Sequence, residues 1–151
     1  MSARRPGRAR DQRGSALVEL TWLGILLMVP MLWIVLSVFE VQRGAFGVSA
    51  AARAAGRAYA LAPTDAQGRA RAEAAARQAL ADQGLDTAPL AVDVTCRPFP
   101  HDCHNGTSVI TVSIHSRVDL PLLPSVFGGD APSFALDASH TVPIGQFQEV
   151  R

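Results

Sequence analysis

The chain has 151 residues, 48% of them hydrophobic, and a formal net charge of +1. This length supports about one domain, and the near-zero charge excludes a nucleic-acid binder that depends on bulk positive charge. The charge is unevenly placed, because residues 1–14 hold five arginines against one aspartate whereas residues 20–39 hold no charged side chain. This distribution disfavours a soluble cytosolic enzyme.

Residues 20–39 form an uninterrupted apolar run, LTWLGILLMVPMLWIVLSVF. A helix of about 20 residues rises roughly 30 Å, which matches the hydrocarbon core of a bilayer. A buried core helix would require a larger protein around it, and a cleaved secretory signal usually has an apolar region of only about 7–15 residues. We therefore predict a membrane-spanning helix over residues 15–39. Since cationic flanks stay in the cytoplasm, the amino terminus should be cytoplasmic and the carboxyl-terminal part extracytoplasmic.

A junction of small residues precedes the apolar run. Arg13, Gly14 and Ser15 are followed by apolar residues and then by Glu19. A carboxylate near the membrane interior is costly, so an intramembrane glutamate is a functional candidate by default. The alternative is that the Glu19 side chain extends back to the cytoplasmic headgroups, one turn from the basic leader. Both interpretations of Glu19 stand at this point.

This junction resembles the cleavage site of type IV prepilins and pseudopilins, and residues 13–62 are similar to the TadE family of pseudopilins from tight-adherence (Flp-type) pilus systems. The resemblance implies that a membrane aspartyl peptidase cleaves between Gly14 and Ser15 and removes residues 1–14 as a leader. It also implies that Glu19 meets the new amino terminus of a neighbouring subunit during assembly. The implied partners are the prepilin peptidase, other pilin or pseudopilin subunits, the inner-membrane pilus assembly platform and the lipid bilayer.

Residues 40–62 should continue the helix outside the membrane, because alanine is frequent there and favours helix. Ala50, Ala54 and Ala58 recur at every fourth position and form a stripe that permits close packing. The stripe could pack against other subunits of a filament or against the chain's own sheet, and the second arrangement is slightly favoured.

The segment after the long helix begins with signals for a second helix. Pro63 ends the first helix, and Thr64 followed by Gln67 fits a capping box. This predicts a helix over residues 66–83 that stops at Gly84.

Three later segments alternate between apolar and polar residues, and they cover residues 90–96, 110–118 and 134–142. Period-two alternation with one polar face predicts an antiparallel sheet that is covered on one side by a helix. Residues 63–151 should therefore form a small extracellular α+β domain. The predicted fold class is α+β: a long membrane-spanning helix that carries a small head of one helix and about three strands.

Cys96 and Cys103 bracket the first connection between strands, and His101 and His104 lie beside them. This order fits no common zinc spacing, and the adjacency of Cys103 and His104 hinders joint tetrahedral coordination. Since the predicted topology places both cysteines in an oxidising compartment, a disulfide is preferred over a metal site or free thiols. A membrane-tethered metalloenzyme that uses both histidines and Cys103 is a third hypothesis, and no cofactor is expected.

Residues 120–134 form a loop rich in proline and glycine that also carries apolar side chains. The loop could contact a partner pilin, or it could cover an open sheet edge, and both interpretations stand. The sequence holds no phosphate-binding glycine loop and no supported Ser/His/Asp arrangement, so His115 and His140 are expected to be structural.

The first hypothesis is a minor pilin or pseudopilin that is processed after Gly14 and acts in pilus assembly or adhesion. It would be a substrate of the prepilin peptidase and not an enzyme. It would be a single-pass membrane protein that enters an extracellular pilus after assembly. The alternative is an unprocessed single-pass anchor whose outer domain binds a partner at the cell envelope.

Overall fold

The computed structural model describes residues 11–120 and 132–145, with side chains described from residue 16 onwards. The elements within these ranges are α1 (Asp11–Ala60), α2 (Asp65–Ala81), β1 (Leu90–Arg97), β2 (Val109–Asp119) and β3 (Ser133–Pro143). The predicted α+β class is confirmed, because a long amino-terminal apolar helix is followed by a second helix and an antiparallel sheet.

α1 is a single helix of 50 residues that continues through Pro30, and its length is about 75 Å. It begins at Asp11, inside the predicted leader, and it ends three residues before Pro63. Its described part is long enough and apolar enough to cross a membrane. The prediction of one continuous helix from the apolar run into the head is confirmed.

The turn between the helices has the predicted cap. Thr64 has an extended backbone, and its hydroxyl accepts a hydrogen bond from the Gln67 amide. α2 ends at Ala81, two residues before the predicted end. The chain leaves α2 through Gly84, which has a φ of +70°, while the Leu85 amide donates to the Leu80 carbonyl. This bond across a left-handed glycine closes the helix as a Schellman motif does.

The sheet has the order β1-β2-β3, and both neighbouring pairs are antiparallel. The predicted alternation holds in β1 and β2, where every second residue turns toward the helices. In β3 it holds from Leu136 onwards, whereas Phe134 remains 49% exposed at the start of the strand. The opposite face of the sheet is polar and open to solvent.

The core of the head lies where α1 packs against α2, β2 and β3. The face of α1 that is fully buried there contains Val48, Ala51, Ala52, Ala55 and Tyr59. The predicted alanine stripe at positions 50, 54 and 58 lies beside this face and is only half-buried. The rotation of α1 follows its larger apolar side chains, because Val48 and Tyr59 gain more than alanine from burial.

Two glycines allow α1 to approach the sheet closely. A Cβ at position 44 would overlap Leu136 and come within 2.8 Å of a Val118 methyl carbon. A Cβ at position 56 would lie 3.1 Å from both His140 and Val142. Gly44 and Gly56 therefore provide space for β2 and β3, which outweighs their low helix propensity.

Candidate functional site in the apolar helix and the disulfide loop

The first half of α1, residues 16–39, presents large apolar side chains on every side of the helix. They are exposed or nearly so, and they include Leu17, Leu20, Trp22, Leu26, Met28, Met31, Leu32, Val38 and Phe39. A continuous apolar surface of this extent marks contact with a membrane or a protein partner. The helix also pairs its own backbone groups, which a segment in hydrocarbon requires.

Glu19 is the charged residue of this surface. It is exposed, and among the described side chains none forms an ion pair or hydrogen bond with it. The nearby Thr21 hydroxyl donates to the Leu17 carbonyl at 2.8 Å, so it does not serve the carboxylate. When the helix lies in hydrocarbon, the Glu19 carboxylate therefore needs a cation from beyond the side chains that the structure describes.

The predicted cleavage junction lies in the first turns of α1. The helix continues across the bond between Gly14 and Ser15, and the side chain of Ser15 falls outside the described part. Residues four apart on a helix are neighbours on one face. Ser15 and Glu19 therefore lie one turn apart on the same face of α1.

The predicted pairing of Cys96 with Cys103 fits the geometry. Their Sγ atoms are 1.99 Å apart, at disulfide-bonding distance, and the Cα atoms are 5.3 Å apart. Both cysteines are buried in the core cluster. The pair closes the connection after β1 into a short loop, and it removes the Cys103 thiol from the proposed metal ligands.

His104 attaches this loop to the corner between the two helices. Its Nδ1 lies 2.5 Å from an Asp65 carboxylate oxygen, and its Nε2 lies 3.1 Å from the Tyr59 carbonyl oxygen. Both partners are acceptors, so both contacts are hydrogen bonds only when the imidazole carries two protons. The ring also stacks on Tyr59, with 5.3 Å between centroids.

Asp65 is the centre of this corner. Its second oxygen accepts a hydrogen bond from the Cys103 amide at 3.2 Å. Burial alone would raise the pKa of Asp65, but the hydrogen bonds from the His104 ring and the Cys103 amide, with the charge of the ring, lower that pKa below its ordinary value. For Tyr59, burial and then the Asp65 charge raise the pKa of the hydroxyl, and Arg69 offsets only part of this.

The sequence pattern grouped His104 with its neighbour Cys103, whereas the structure groups it with residues from the two helices. No local pattern indicates these partners, since Asp65 lies 39 positions away from His104. His101 is exposed. Within residues 11–120 and 132–145, no group of three or more His, Cys, Asp or Glu side chains is placed to hold a metal ion.

The other two histidines lie on β2 and β3. His115 is exposed on the polar face of the sheet, where its ring nitrogens lie 2.6 Å from Asp137 and 3.5 Å from Asp93. His140 packs near Gly56 of α1.

The predicted loop of residues 120–134 lies mostly outside the described residues. Next to its undescribed part, the Leu120 amide donates a hydrogen bond to the Pro132 carbonyl.

Comparison of the chain with protein-family models, with curated proteins and with solved structures finds no match.

Proposed function

We propose that this chain is a minor pilin or pseudopilin of the TadE-like kind, which is processed after Gly14 and assembles into a tight-adherence pilus or a related secretion filament. One observation carries the proposal. A single continuous helix exposes an apolar surface along its first half, and it forms the core of a small disulfide-linked head along its second half. This arrangement suits a subunit that is held in a membrane by its helix before assembly and then packs against other subunits of a filament through the same helix.

The membrane supplies the first partner of the apolar half. Burial of a large apolar side chain is favourable by about 1.5–3 kcal/mol, and the exposed side chains of residues 16–39 would gain this in lipid. The arginine-rich leader keeps the amino terminus in the cytoplasm, so the head lies outside. The basic leader would then be presented to a peptidase at the cytoplasmic face.

Cleavage after Gly14 would create an ammonium group at Ser15. A carboxylate in hydrocarbon needs such a cation, because the Coulomb attraction is stronger at low dielectric constant. Desolvation of both charges takes back part of this gain. Glu19, which has no described partner in its own chain, would pair with the amino terminus of a neighbouring subunit and so favour assembly. The chain acts here through contacts and not through catalysis.

The first test replaces Gly14 with alanine. Because the peptidase must accept the residue before the scissile bond, we expect Gly14→Ala to lower or abolish processing, so that the leader stays on the protein. Intact mass of the protein from its native membranes measures this. The matched control is Gly24→Ala, because a Cβ at position 24 meets no other atom within 4 Å and should leave processing unchanged.

Normal maturation of the Gly14→Ala variant would contradict processing at this bond. If the wild-type protein also keeps its leader, the chain is an unprocessed membrane anchor, and the filament role loses its support.

The second test concerns Glu19. We expect Glu19→Ala to be cleaved normally but to be reduced at least about tenfold in filaments sheared from cells, because a buried charged hydrogen bond contributes about 1.5–3 kcal/mol. Glu73→Ala is the control, since Glu73 is exposed on α2 and pairs only with Arg77 among the described residues. Wild-type incorporation of the Glu19 variant would remove the assembly role of this carboxylate.

A further inference from the structure

The outer face of the sheet, opposite α1, carries two carboxylates that are held by one histidine. His115 of β2 lies on this face because its neighbour Ile114 is buried toward the helices. The ring nitrogens of His115 lie 3.5 Å from an Asp93 carboxylate oxygen on β1 and 2.6 Å from an Asp137 carboxylate oxygen on β3. The two aspartate side chains are still 71% and 67% exposed. The imidazole therefore positions both carboxylates while leaving them open to a partner.

The surroundings of this pair are low in profile and carry no cation. Apart from Asp93, the next two rows across the three strands consist of hydroxyl side chains, namely Ser113, Ser139, Thr95, Thr111 and Thr141. The arginines of this face, Arg97 and Arg117, belong to other rows, where they lie opposite Val109 and Ala135. The middle of the outer sheet face is thus acidic, and its small side chains leave room for a helix.

The outward face of α1 in the head is basic. Arg53 and Arg57 are exposed and one turn apart. Each lies nine positions, or about two and a half turns, after a residue that is buried against the head, which is Gly44 for Arg53 and Val48 for Arg57. The Arg53 guanidinium donates to the Ser49 hydroxyl at 3.1 Å, and Arg57 has no hydrogen bond or ion pair with any described residue. No described carboxylate neutralises either arginine.

The basic face and the acidic face lie on opposite sides of the head. α1 packs against the inner face of β2 and β3, so its outward face and the outer sheet face point in opposite directions. One copy of the chain can therefore present its arginines to the aspartates of a second copy. Such a contact joins two different surfaces, and it generates open chains rather than closed dimers when the rotation between copies does not close a ring.

The spacing of the charges matches across this contact. Arg53 and Arg57 are about 6 Å apart along α1. Asp137 and Asp93 belong to neighbouring rows of the sheet, which are about 6.6 Å apart along the strands. Each guanidinium can thus face one carboxylate.

The heights of the two faces determine how the copies are displaced. α1 and β3 run in the same direction, since Gly44 lies beside Leu136 and a position twelve residues later lies beside Val142. Measured from Gly44, Arg53 is about 14 Å further along α1, whereas Asp137 is only about 3 Å beyond Leu136. A second copy that is displaced by about 10 Å along the helix axis therefore aligns these two charges. The same displacement aligns the second arginine with the second aspartate.

We propose that the head binds a second copy of this chain, with Arg53 on Asp137 and Arg57 on Asp93 of that copy. Arginine suits this contact because its guanidinium provides several fixed donors to a carboxylate. The inference deepens the proposed filament role and rests on it. Parallel helices in one filament would each be raised by about 10 Å relative to the copy before, and the unused face at each end would accept the next subunit.

The test compares two charge-reversed variants of the purified full chain in detergent at low salt, by analytical ultracentrifugation. Arg53→Glu with Arg57→Glu makes both faces acidic, and Asp93→Arg with Asp137→Arg makes both faces basic. Because like charges then oppose each other, we expect each variant alone to associate at least about tenfold more weakly than the wild type. An equimolar mixture of the two variants should associate again, since every contact between them pairs opposite charges.

Arg71→Glu with Arg77→Glu is the matched control, because it changes the net charge by the same amount at exposed positions of α2 and should associate as the wild type does. Unchanged melting temperatures check that the variants are folded. A monomeric wild type, association that stops at a dimer, wild-type association by the Arg53→Glu and Arg57→Glu variant, or a mixture that stays monomeric would each overturn the proposal. Processing after Gly14 is read separately by intact mass, so the failure of one proposal is distinguishable from the failure of the other.

Discussion

Between residues 16 and 39, α1 exposes large apolar side chains such as Leu26, whereas between residues 41 and 60 the same helix buries small ones such as Ala51 and Ala55. The backbone is one uninterrupted helix throughout. The two halves differ in the partner for which their side chains are suited. The first half exposes large apolar side chains. The second half has small residues that let α1 pack closely against β2 and β3. The second half is therefore distinguished by small side chains over most of its buried face, with Val48 and Tyr59 as the larger exceptions.

The glycines of α1 also have different surroundings in the two halves of the helix. Gly44 lies against Leu136 and Val118, where a side chain would overlap the sheet, whereas Gly24 faces open space. A substitution in the head half thus meets a packed neighbour, while the same substitution in the apolar half does not. Protein interiors are packed so closely that one added methyl group changes stability. Paired substitutions in the two halves therefore test this comparison.

The largest expected effect comes from removing the anchor of the head. Tyr59 is fully buried, packs on Gly68 and stacks on His104. We expect Tyr59→Ala to lower the free energy of unfolding of the head by about 3–5 kcal/mol, measured by chemical denaturation in detergent. Leu26→Ala, at a position that is 68% exposed, should change it by less than about 0.5 kcal/mol. Comparable losses at the two positions would contradict the division of α1 into two halves.

A smaller effect should follow from adding one methyl group at each glycine. Gly44→Ala forces Leu136 and Val118 to move, at a cost of about 1–3 kcal/mol, of which the better helix propensity of alanine returns up to about 1 kcal/mol. We therefore expect a net loss of up to about 2 kcal/mol and a lower melting temperature of the head. Gly24→Ala is the paired control and should show no loss. A Gly44→Ala head as stable as the wild type would show that the contact with the sheet is looser than described.

The smallest expected effect is the pH dependence of the stability of the head. The pKa of Asp65 is lowered in the folded chain, so its contribution to stability is present above its ordinary pKa of 3.8. That contribution is lost as the pH falls through the lower folded value. We expect the melting temperature of the wild type to fall more steeply below pH 4 than that of Asp65→Asn. Asp86→Asn, at an exposed position, is the control; identical slopes for Asp65→Asn and the wild type would exclude this contribution.

The features that the sequence predicts well depend on residues close together in the chain. A charge-free run of 20 residues specifies the apolar half of α1, and period-two alternation specifies β1 and β2. Thr64 predicts the start of α2 because a cap acts within one turn. The pairing of Cys96 with Cys103 is similarly local, since seven positions separate the two cysteines.

The features that the sequence does not predict require contacts between distant segments. The partner of His104 is Asp65, on another element, whereas the sequence pattern offered only His101 and the two cysteines as its neighbours. The rotation of α1 was also not predictable from its alanine spacing, because alanines at positions 50, 51, 52, 54, 55 and 58 could each face the sheet. Burial of Val48 and Tyr59 sets the rotation, and the glycines at positions 44 and 56 leave the clearance that β2 and β3 need.

We propose that α1, from Ser15 onwards, is the amino-terminal helix of a processed membrane subunit. The most direct measurement is amino-terminal sequencing combined with intact mass of the protein taken from its native membranes. Processing after Gly14 predicts a chain that begins at Ser15, with a mass that lacks residues 1–14. A chain that begins at Met1 or Ser2 would contradict processing and leave an anchored envelope protein.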